Sequence, residues 1–552
     1  MKMNKTLFTL LALLLSMSAL GQNPYLPLWE YIPDGEPYIF EDPDRPGHQR
    51  VYVYGSHDML VDTYCGLDQV VWSAPVEDLH QWRYDGVVFE SRYTKDGYLL
   101  NRDGKADLLY APDIVEVKEN GRKVYYFTPN NQAEGRRNMI CKGYRPDGPF
   151  EVCNWNADGR TTYGLFGFDP AIFQDDDGRV YGYWGFMQSN GAELDPTTMC
   201  TVKPGAEVKK GMISNKDEAG DFRFYEASSM RKILGKYVFI YSRTTAPGEF
   251  GLYDSNYTLA YAYSDKPLGP WTYGGTLIDG RARGKDEKGN VIPTAVPYGN
   301  THGSLLEING QWYVFYHRQT GDNEFQRQAM VAPVSVSLKD GKLLISEGEY
   351  TSEGFCLNGL NPFDLTPAGL ACYLTGPTQL PHQFPNHAHS GSYIKATRIG
   401  DNGRDGAYSL HAHHSPVAFN TDGSVVGYKY FNMTEIGKHN EATLRMHLNP
   451  EGVAGEIVFM LDSPWESQGG KEIGRLALKG NSTENKFLQM KSQSGDLYEA
   501  DIPISGLKKL KGKHPLYLLF HSETKGKSLC ELYDFRFIQQ SGKMVEFKGA
   551  RF

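Results

Sequence analysis

Asp177-Gly178-Arg179-Val-Tyr-Gly-Tyr-Trp-Gly185 is a tight-turn pair followed by a short strand dense in aromatic residues. The pattern recurs in Arg50-Val-Tyr-Val-Tyr-Gly-Ser56, Lys123-Val-Tyr-Tyr-Phe-Thr-Pro129, Lys236-Tyr-Val-Phe-Ile-Tyr-Ser242 and Gln311-Trp-Tyr-Val-Phe-Tyr-His317. Successive starts are 73, 56, 57 and 75 residues apart. Asn120-Gly121, Asp177-Gly178 and Asn309-Gly310 precede three of the strands, and Gly235 precedes a fourth. Such pairs adopt the left-handed backbone of two-residue hairpins. Each unit therefore reads as a hairpin feeding a central strand, and long amphipathic helical periodicity is missing. Repeated antiparallel units of this size specify a propeller or a solenoid. Five copies predict an all-β chain whose residues 22–346 form a five-bladed β-propeller; the competing reading is a plain β-sandwich with coincidental Tyr-rich strands.

Beyond the repeat the chain changes character. Residues 347–381 are rich in Gly, Pro and Thr and read as a connecting segment. Across residues 382–552 short strands resume without the repeat, as in Glu456-Ile-Val-Phe-Met-Leu461, and predict a second, jelly-roll-like β-sandwich. At the other end, Lys2 and Lys5 precede an apolar run that closes on Ala19-Leu20-Gly21. This is the pattern of a secretory leader cleaved after Gly21, which places the mature protein in the periplasm or outside the cell. Losing Lys2 and Lys5 takes the net charge from −9 to −11. No later segment is apolar enough to span a membrane.

The 552 residues suffice for two to four domains with large cores, which excludes a disordered chain and a small disulfide scaffold. With 57 basic and 66 acidic residues and no basic block, nucleic acid is not an expected partner. The seven cysteines contain no C-x-x-C pair, so zinc and redox motifs are absent. Two readings stand: disulfides Cys141–Cys153 and Cys356–Cys372, or scattered buried thiols.

Three carboxylates precede the strand patterns by about 10–16 positions: Asp34 in Ile-Pro-Asp34-Gly, Asp169 in Phe-Asp169-Pro and Glu226 in Tyr-Glu226-Ala-Ser-Ser. In a propeller, equivalent positions of successive blades converge on the central axis. An Asp beside Gly or Pro is ordinarily a turn residue; three in phase with the repeat point instead to one pocket. Separated carboxyls, one protonated and one ionised, are what glycoside hydrolysis requires.

These residues resemble glycoside hydrolase family 43, a family of five-bladed propeller enzymes. The resemblance covers roughly residues 23–340. It implies that Asp34 is the general base, Asp169 the acid that orients and tunes the proton donor, and Glu226 the general acid. Ala111-Pro112-Asp113 resembles the family's Trp-Ala-Pro-Asp motif with Tyr110 in place of Trp, making Asp113 a substrate-binding or a structural residue. His302, in Thr-His-Gly-Ser, resembles the His that sits beside a central ion; the two readings are a largely hydrated calcium and a neutral hydrogen-bonded imidazole. No cofactor is expected for the chemistry itself. Arg318 is a candidate sugar contact or a solvated side chain. Ala-Ser-Ser after Glu226 departs from the Gly-Pro of many members. The implied activity is an inverting exo-glycosidase on oligo- or polysaccharides, an α-L-arabinofuranosidase first and a β-D-xylosidase or galactosidase/galactofuranosidase next. The insertions 91–107 and 279–297 are expected to wall the pocket.

A non-catalytic glycan-binding propeller is the rival from another class. A protease has no Gly-x-Ser-x-Gly or His-Glu-x-x-His motif to support it. Asp175–Asp177 lacks the spacing of a calcium loop and reads as a hairpin turn. His382, His387, His389, His411, His413 and His414 cluster, but without acids or Cys at ligand spacing they read as surface or interdomain residues. Asp422–Phe431 and Pro515–Phe537 resemble family 6 carbohydrate-binding modules. Only Trp465 remains among tryptophans after Trp312, so the module is either a sugar binder or a structural companion.

Overall fold

The computed structural model describes residues 21–60, 63–98, 107–215, 221–296, 299–321, 324–377, 391–396, 415–480, 488–492 and 495–538. The leader up to Leu20 and the six clustered histidines lie outside the described residues. The chain is all-β, with only short 3-10 turns besides strands among the described residues. It divides into two units at Leu357/Asn358.

The first unit holds five consecutive antiparallel meanders. The first runs Glu36–Glu41, Gln49–Tyr54, Asp68–Pro75, Arg83–Glu90. The second runs Asp113–Glu119, Arg122–Thr128, Cys141–Gly143, Glu151–Val152. The third runs Ala171–Gln174, Val180–Gly185, Gln188–Leu194, Lys209–Ser214. The fourth runs Phe224–Ile233, Lys236–Arg243, Thr258–Ser264, Thr272–Asp279. The fifth is three-stranded: Ser304–Ile308, Gln311–Gln319, Arg327–Val334. Every Tyr-rich stretch found in the sequence is the second strand of its sheet. Two of the turns that feed them behave as read, Asn120 and Gly121, like Asn309 and Gly310, taking positive φ at both corner positions, whereas at Asp177-Gly178 only Gly178 does. The Asp175–Asp177 stretch is a hairpin turn, its first carboxylate held by Lys232 and the Tyr237 hydroxyl.

The Tyr-rich strands are buried on both faces, because their alternating side chains serve two neighbours. Val51 and Val53 pack with Phe315 and Val331 of the fifth sheet, while Tyr52 and Tyr54 pack with Tyr125 and Phe127 of the second. Val124 and Tyr126 pack with Val180 of the third, and Tyr181 and Tyr183 with Phe239 and Tyr241 of the fourth. The first strands of adjacent sheets also touch, the fifth sheet's against that of the first. The Tyr38 hydroxyl donates to Asp113 Oδ1 at 2.6 Å and ties the first sheet to the second.

The N-terminal segment fastens onto the fifth sheet. Asn23 Nδ2 donates to the carbonyls of Val331 (2.6 Å) and Thr351 (3.0 Å), and its Oδ1 accepts the Val331 N–H. Tyr25 N–H bonds Ala329 O, and Asn23 N–H bonds Ser352 O.

In the second unit one sheet of seven strands includes Ala442–Pro450 and Cys530–Ile538, and one of five includes Val425–Asn432 and Lys513–His521. Tyr428 and Phe431 of the smaller sheet meet Phe535 and Phe537 of the larger in edge-on ring contacts. The segment read as a connection is divided between the units. Gly348 N–H bonds Leu277 O in the first, whereas Thr366–Pro367 and Tyr373–Thr375 are strands of the second. The second unit thus begins at Asn358 rather than near residue 382. The disulfide reading fails: all seven cysteines are described and none is bridged, and Cys65, Cys141, Cys200, Cys372 and Cys530 are buried thiols.

Candidate active site

Asp34, Asp169 and His302 each stand two residues before the first strand of their sheets, and Glu226 is the third residue of its own. All four line one cavity of about 560 Å³. The backbone is bent to aim them. Asp34 (φ 61) and Asp169 (φ 47) occupy the left-handed region, as does Ala227 (φ 71); such conformations persist where surrounding contacts enforce them. The Phe224–Ile233 strand slips register between Glu226 and Ser229, a bulge that re-aims a side chain beside a site. Gly303 is required by space: a Cβ there would lie 1.9 Å from Phe315 O.

Around Asp34 every partner favours the ionised carboxylate. Ser56 Oγ donates to Oδ2, and Arg327 Nη1 donates to Oδ1 at 3.2 Å. Burial raises the Asp34 pKa, but Arg327, His317, His302 and Ser56 together outweigh it and hold the carboxyl below its usual range. Arg327 is itself fixed by Asp58, to which Nε and Nη2 donate at 2.9 Å each, and lies over the Tyr64 ring at 4.8 Å. His317 Nδ1 accepts the Asp34 N–H at 3.1 Å, and its Nε2–H donates to Asn300 O at 2.9 Å. Burial lowers the His317 pKa to about 3, so the ring is neutral and both nitrogens are used.

The opposite holds for Glu226. Burial first, then the charges of Asp169 and Asp34, push its pKa up to about 8, against the opposing pull of His302 and an Asn300 hydrogen bond. Asp169 accepts from Asn130 Nδ2 (2.8 Å) and Ala227 N–H (3.0 Å), and burial lifts it to about 6. Asn300 bridges the two sides: its Oδ1 accepts from Arg327 at 3.2 Å, while its side chain bonds Glu226. His302 stands between Asp169 Oδ2 (3.9 Å) and Glu36 Oε1 (3.8 Å); burial opposes its charging, but these acids lift its pKa to about 9.

Two expected contacts are not in the cavity. Arg318 is buried and donates to Gln328 Oε1 at 2.9 and 3.1 Å. Strand alternation explains this: His317 faces Asp34, so Arg318 points to the other side. The cavity's arginine is Arg327. Asp113 is structural. Its Oδ1 accepts from the Tyr38 hydroxyl and Ile114 N–H, and its Oδ2 from Ile172 N–H at 2.8 Å, tying three sheets together. Tyr110 and Ala111 of the same motif do line the cavity. Ser56, Asn300, His317 and Arg327 were not singled out by sequence. Their one signal is position: Arg327 opens a strand and His317 lies two residues from the end of one, while Ser56 follows a strand by two residues and Asn300 precedes one by four.

The chain belongs to the glycosyl hydrolases family 43, whose model matches residues 49–342. Asp169, Glu226 and His302 fall inside the matched stretch and Asp34 precedes it. The chain is 33% identical over 529 residues to a xylosidase/arabinosidase of Thermoclostridium stercorarium, covering 92% of this chain and 98% of that protein. It is 26% identical over 437 residues to an arabinoxylan arabinofuranohydrolase of Paenibacillus polymyxa, covering 74% and 63%. Among solved structures, a family 43 arabinoxylan arabinofuranohydrolase from Bacillus subtilis aligns over 95% of this chain and 99% of its own, at 18% identity and a TM-score of 0.45. The protein is a glycoside hydrolase.

Proposed function

We propose that this hydrolase is an inverting exo-glycosidase that removes terminal or branching pentose residues from plant polysaccharides, α-L-arabinofuranosyl groups first and β-D-xylosyl groups second. The observation that carries the mechanism is the opposed setting of two carboxyls in one cavity: Asp34 among donors and an arginine, Glu226 buried beside two acids. Asp34 takes a proton from water as the water oxygen bonds the anomeric carbon; Glu226 gives its proton to the glycosidic oxygen as the bond to the leaving sugar breaks. Asp169 holds Glu226 protonated by its charge and fixes the adjoining backbone through Ala227 N–H. The pentose reading rests on the names of the relatives, which cover both arabinosidase and xylosidase activity. Proton NMR of the first-formed sugar, with arabinan, arabinoxylan and matched glycosides as substrates, tests it. An inverted anomer released from chain ends or branches is expected; a retained anomer or a ladder of internal fragments overturns it.

The five meanders, each sharing a core with its neighbour, support the reading as a five-bladed β-propeller, and the two sheets of the second unit support a β-sandwich companion. Trp465 packs, partly buried, on the core of that unit around Val458 and Met460, which favours the structural companion over a sugar platform. The leader sequence supports export, with Gln22 as the first residue of the mature protein; N-terminal sequencing of secreted material tests it.

A calcium ion near His302 has a specific basis. His302 Nε2 and Glu36 Oε1 are buried and lack hydrogen-bond partners. A hard, mostly hydrated cation would take these two atoms only in place of the proton that otherwise keeps His302 charged beside Glu36, and would supply the same positive charge beside the acids. Among the described residues no cluster of three or more His, Cys, Asp or Glu forms a protein cage. Dialysis against EDTA is expected to lower the melting temperature and added calcium to restore it; no change, with no metal by elemental analysis, removes the ion.

A further inference from the structure

We propose that Phe186 is a platform for the sugar ring of the leaving group, a specificity-determining residue outside the catalytic trio; this rests on the glycosidase reading above. Phe186 and Met187 form the tip of the hairpin between Val180–Gly185 and Gln188–Leu194, and Phe186, the aromatic one, is 50% exposed. Its ring is not isolated. It lies 5.3 Å from the Phe168 ring and 5.2 Å from the Tyr225 ring. Both of those rings line the catalytic cavity. Each belongs to the residue directly before an active-site acid, Phe168 before Asp169 and Tyr225 before Glu226.

The hairpin tip is also bolted to both acid-bearing segments. Gly185 N–H donates to Phe168 O at 2.8 Å, and Met187 N–H to Tyr225 O at 2.6 Å. The Met187 backbone (φ 58) is held in the left-handed region to make the turn. An exposed aromatic residue on a flexible tip carries little meaning; one fixed by backbone bonds to the segments of the acid and its modulator has a defined place relative to the chemistry.

That place indicates the occupant. Glu226 must face the glycosidic oxygen, and the other substituent of that oxygen is the leaving saccharide. Tyr225 lines the cavity beside Glu226 and Phe186 packs on it, so a leaving sugar that passes out over Tyr225 meets Phe186. The apolar C–H face of a sugar ring stacks on aromatic rings, a contact that tolerates variation in hydroxyl pattern. The sugar to be cleaved is instead held in the polar cavity among Asp34, Arg327 and Asn300. Selectivity for the leaving group and for the released group would thus be set by different residues.

Phe186→Ala, measured on arabinosyl-xylotriose and xylotriose beside methyl α-L-arabinofuranoside and methyl β-D-xyloside, separates the possibilities, because the methyl glycosides have no leaving sugar to stack. Expected is a loss of about three- to tenfold in kcat/KM on the oligosaccharides, the range of one aromatic contact, carried mainly by KM. Activity on the methyl glycosides stays within about twofold, and Phe186→Tyr or Phe186→Trp retains the oligosaccharide rate. An unchanged oligosaccharide rate in Phe186→Ala overturns the proposal, as does an equal loss on both substrate kinds, which marks a merely structural clip. Wild-type protein that cleaves none of the four overturns the pentose reading, and this inference with it.

Discussion

At the scale of single residues, the site is a set of opposed demands on similar groups. Glu226→Gln and Asp34→Asn are each expected to lower kcat by orders of magnitude, read on the best glycoside. With Glu226 at about 8 in the folded chain, kcat/KM should fall above that pH as the acid loses its proton, and a flat profile to pH 9 would contradict its role. The same shift has a cost in stability. Folded Glu226 holds its proton more tightly than the unfolded group does at 4.5, so stability is lost as pH rises from about 4.5 to about 8. Glu226→Gln should therefore melt at a higher temperature than wild type, with a gap that widens across this window in calorimetry. Arg327 is the reverse case. Removing it strands Asp58 and weakens the hold on Asp34, and Arg327→Met should cost about 3–5 kcal/mol in denaturant unfolding. This is also where sequence reading failed. Arg318 and Arg327 sit on paired strands, Arg318 opposite Gln328 and Arg327 opposite Gln319. Period-two alternation means that a shift of one position swaps the inner face for the outer, and nothing in the letters says which face is inner.

At the scale of elements, the Tyr-rich strands were legible because their signal is local: a turn pair, then an alternating run. The bulge after Glu226 was not, since Ala-Ser-Ser carries no mark of a left-handed backbone at Ala227. The N-terminal fastening was equally hidden, for Asn23 pairs with residues more than 300 positions away. Asn23→Ala leaves the Val331 N–H and two carbonyls without that partner, and each buried polar group so stranded costs about 1–3 kcal/mol. A clear drop in melting temperature is expected, with catalytic constants unchanged below it; wild-type stability would show that water replaces Asn23. The second unit's boundary was misplaced because Gly, Pro and Thr mark turns, and Thr366–Pro367 and Tyr373–Thr375 are short strands set among such residues.

For the whole molecule, protonation ties activity to stability unevenly between the units. His57, buried between Asp68 (2.6 Å) and Glu30 (3.3 Å), resists burial's effect and is raised to about 9, as is His302. Asp113 is raised to about 7 by burial and Glu36. In all of these the folded state binds the proton more tightly, so their stabilisation is complete below about pH 6.5 for the histidines and is lost as pH rises through 9. Among the described residues of the second unit, His447 is the one histidine raised, in the same direction. Calorimetry from pH 6.5 to 9.5 should show the catalytic unit losing stability faster than its companion; equal shifts would discount the histidines. The fastening of Asn23 to Val331 and Thr351 also bears on how the protein comes into being. A ribosome makes the strap first and its partner strand last, on the order of tens of seconds later at ordinary elongation rates. Until Ala329 and Val331 have emerged the strap has nothing to grip, and until Thr351 and Ser352 follow its hold is incomplete, so a chain stalled before that point is left with an open seam.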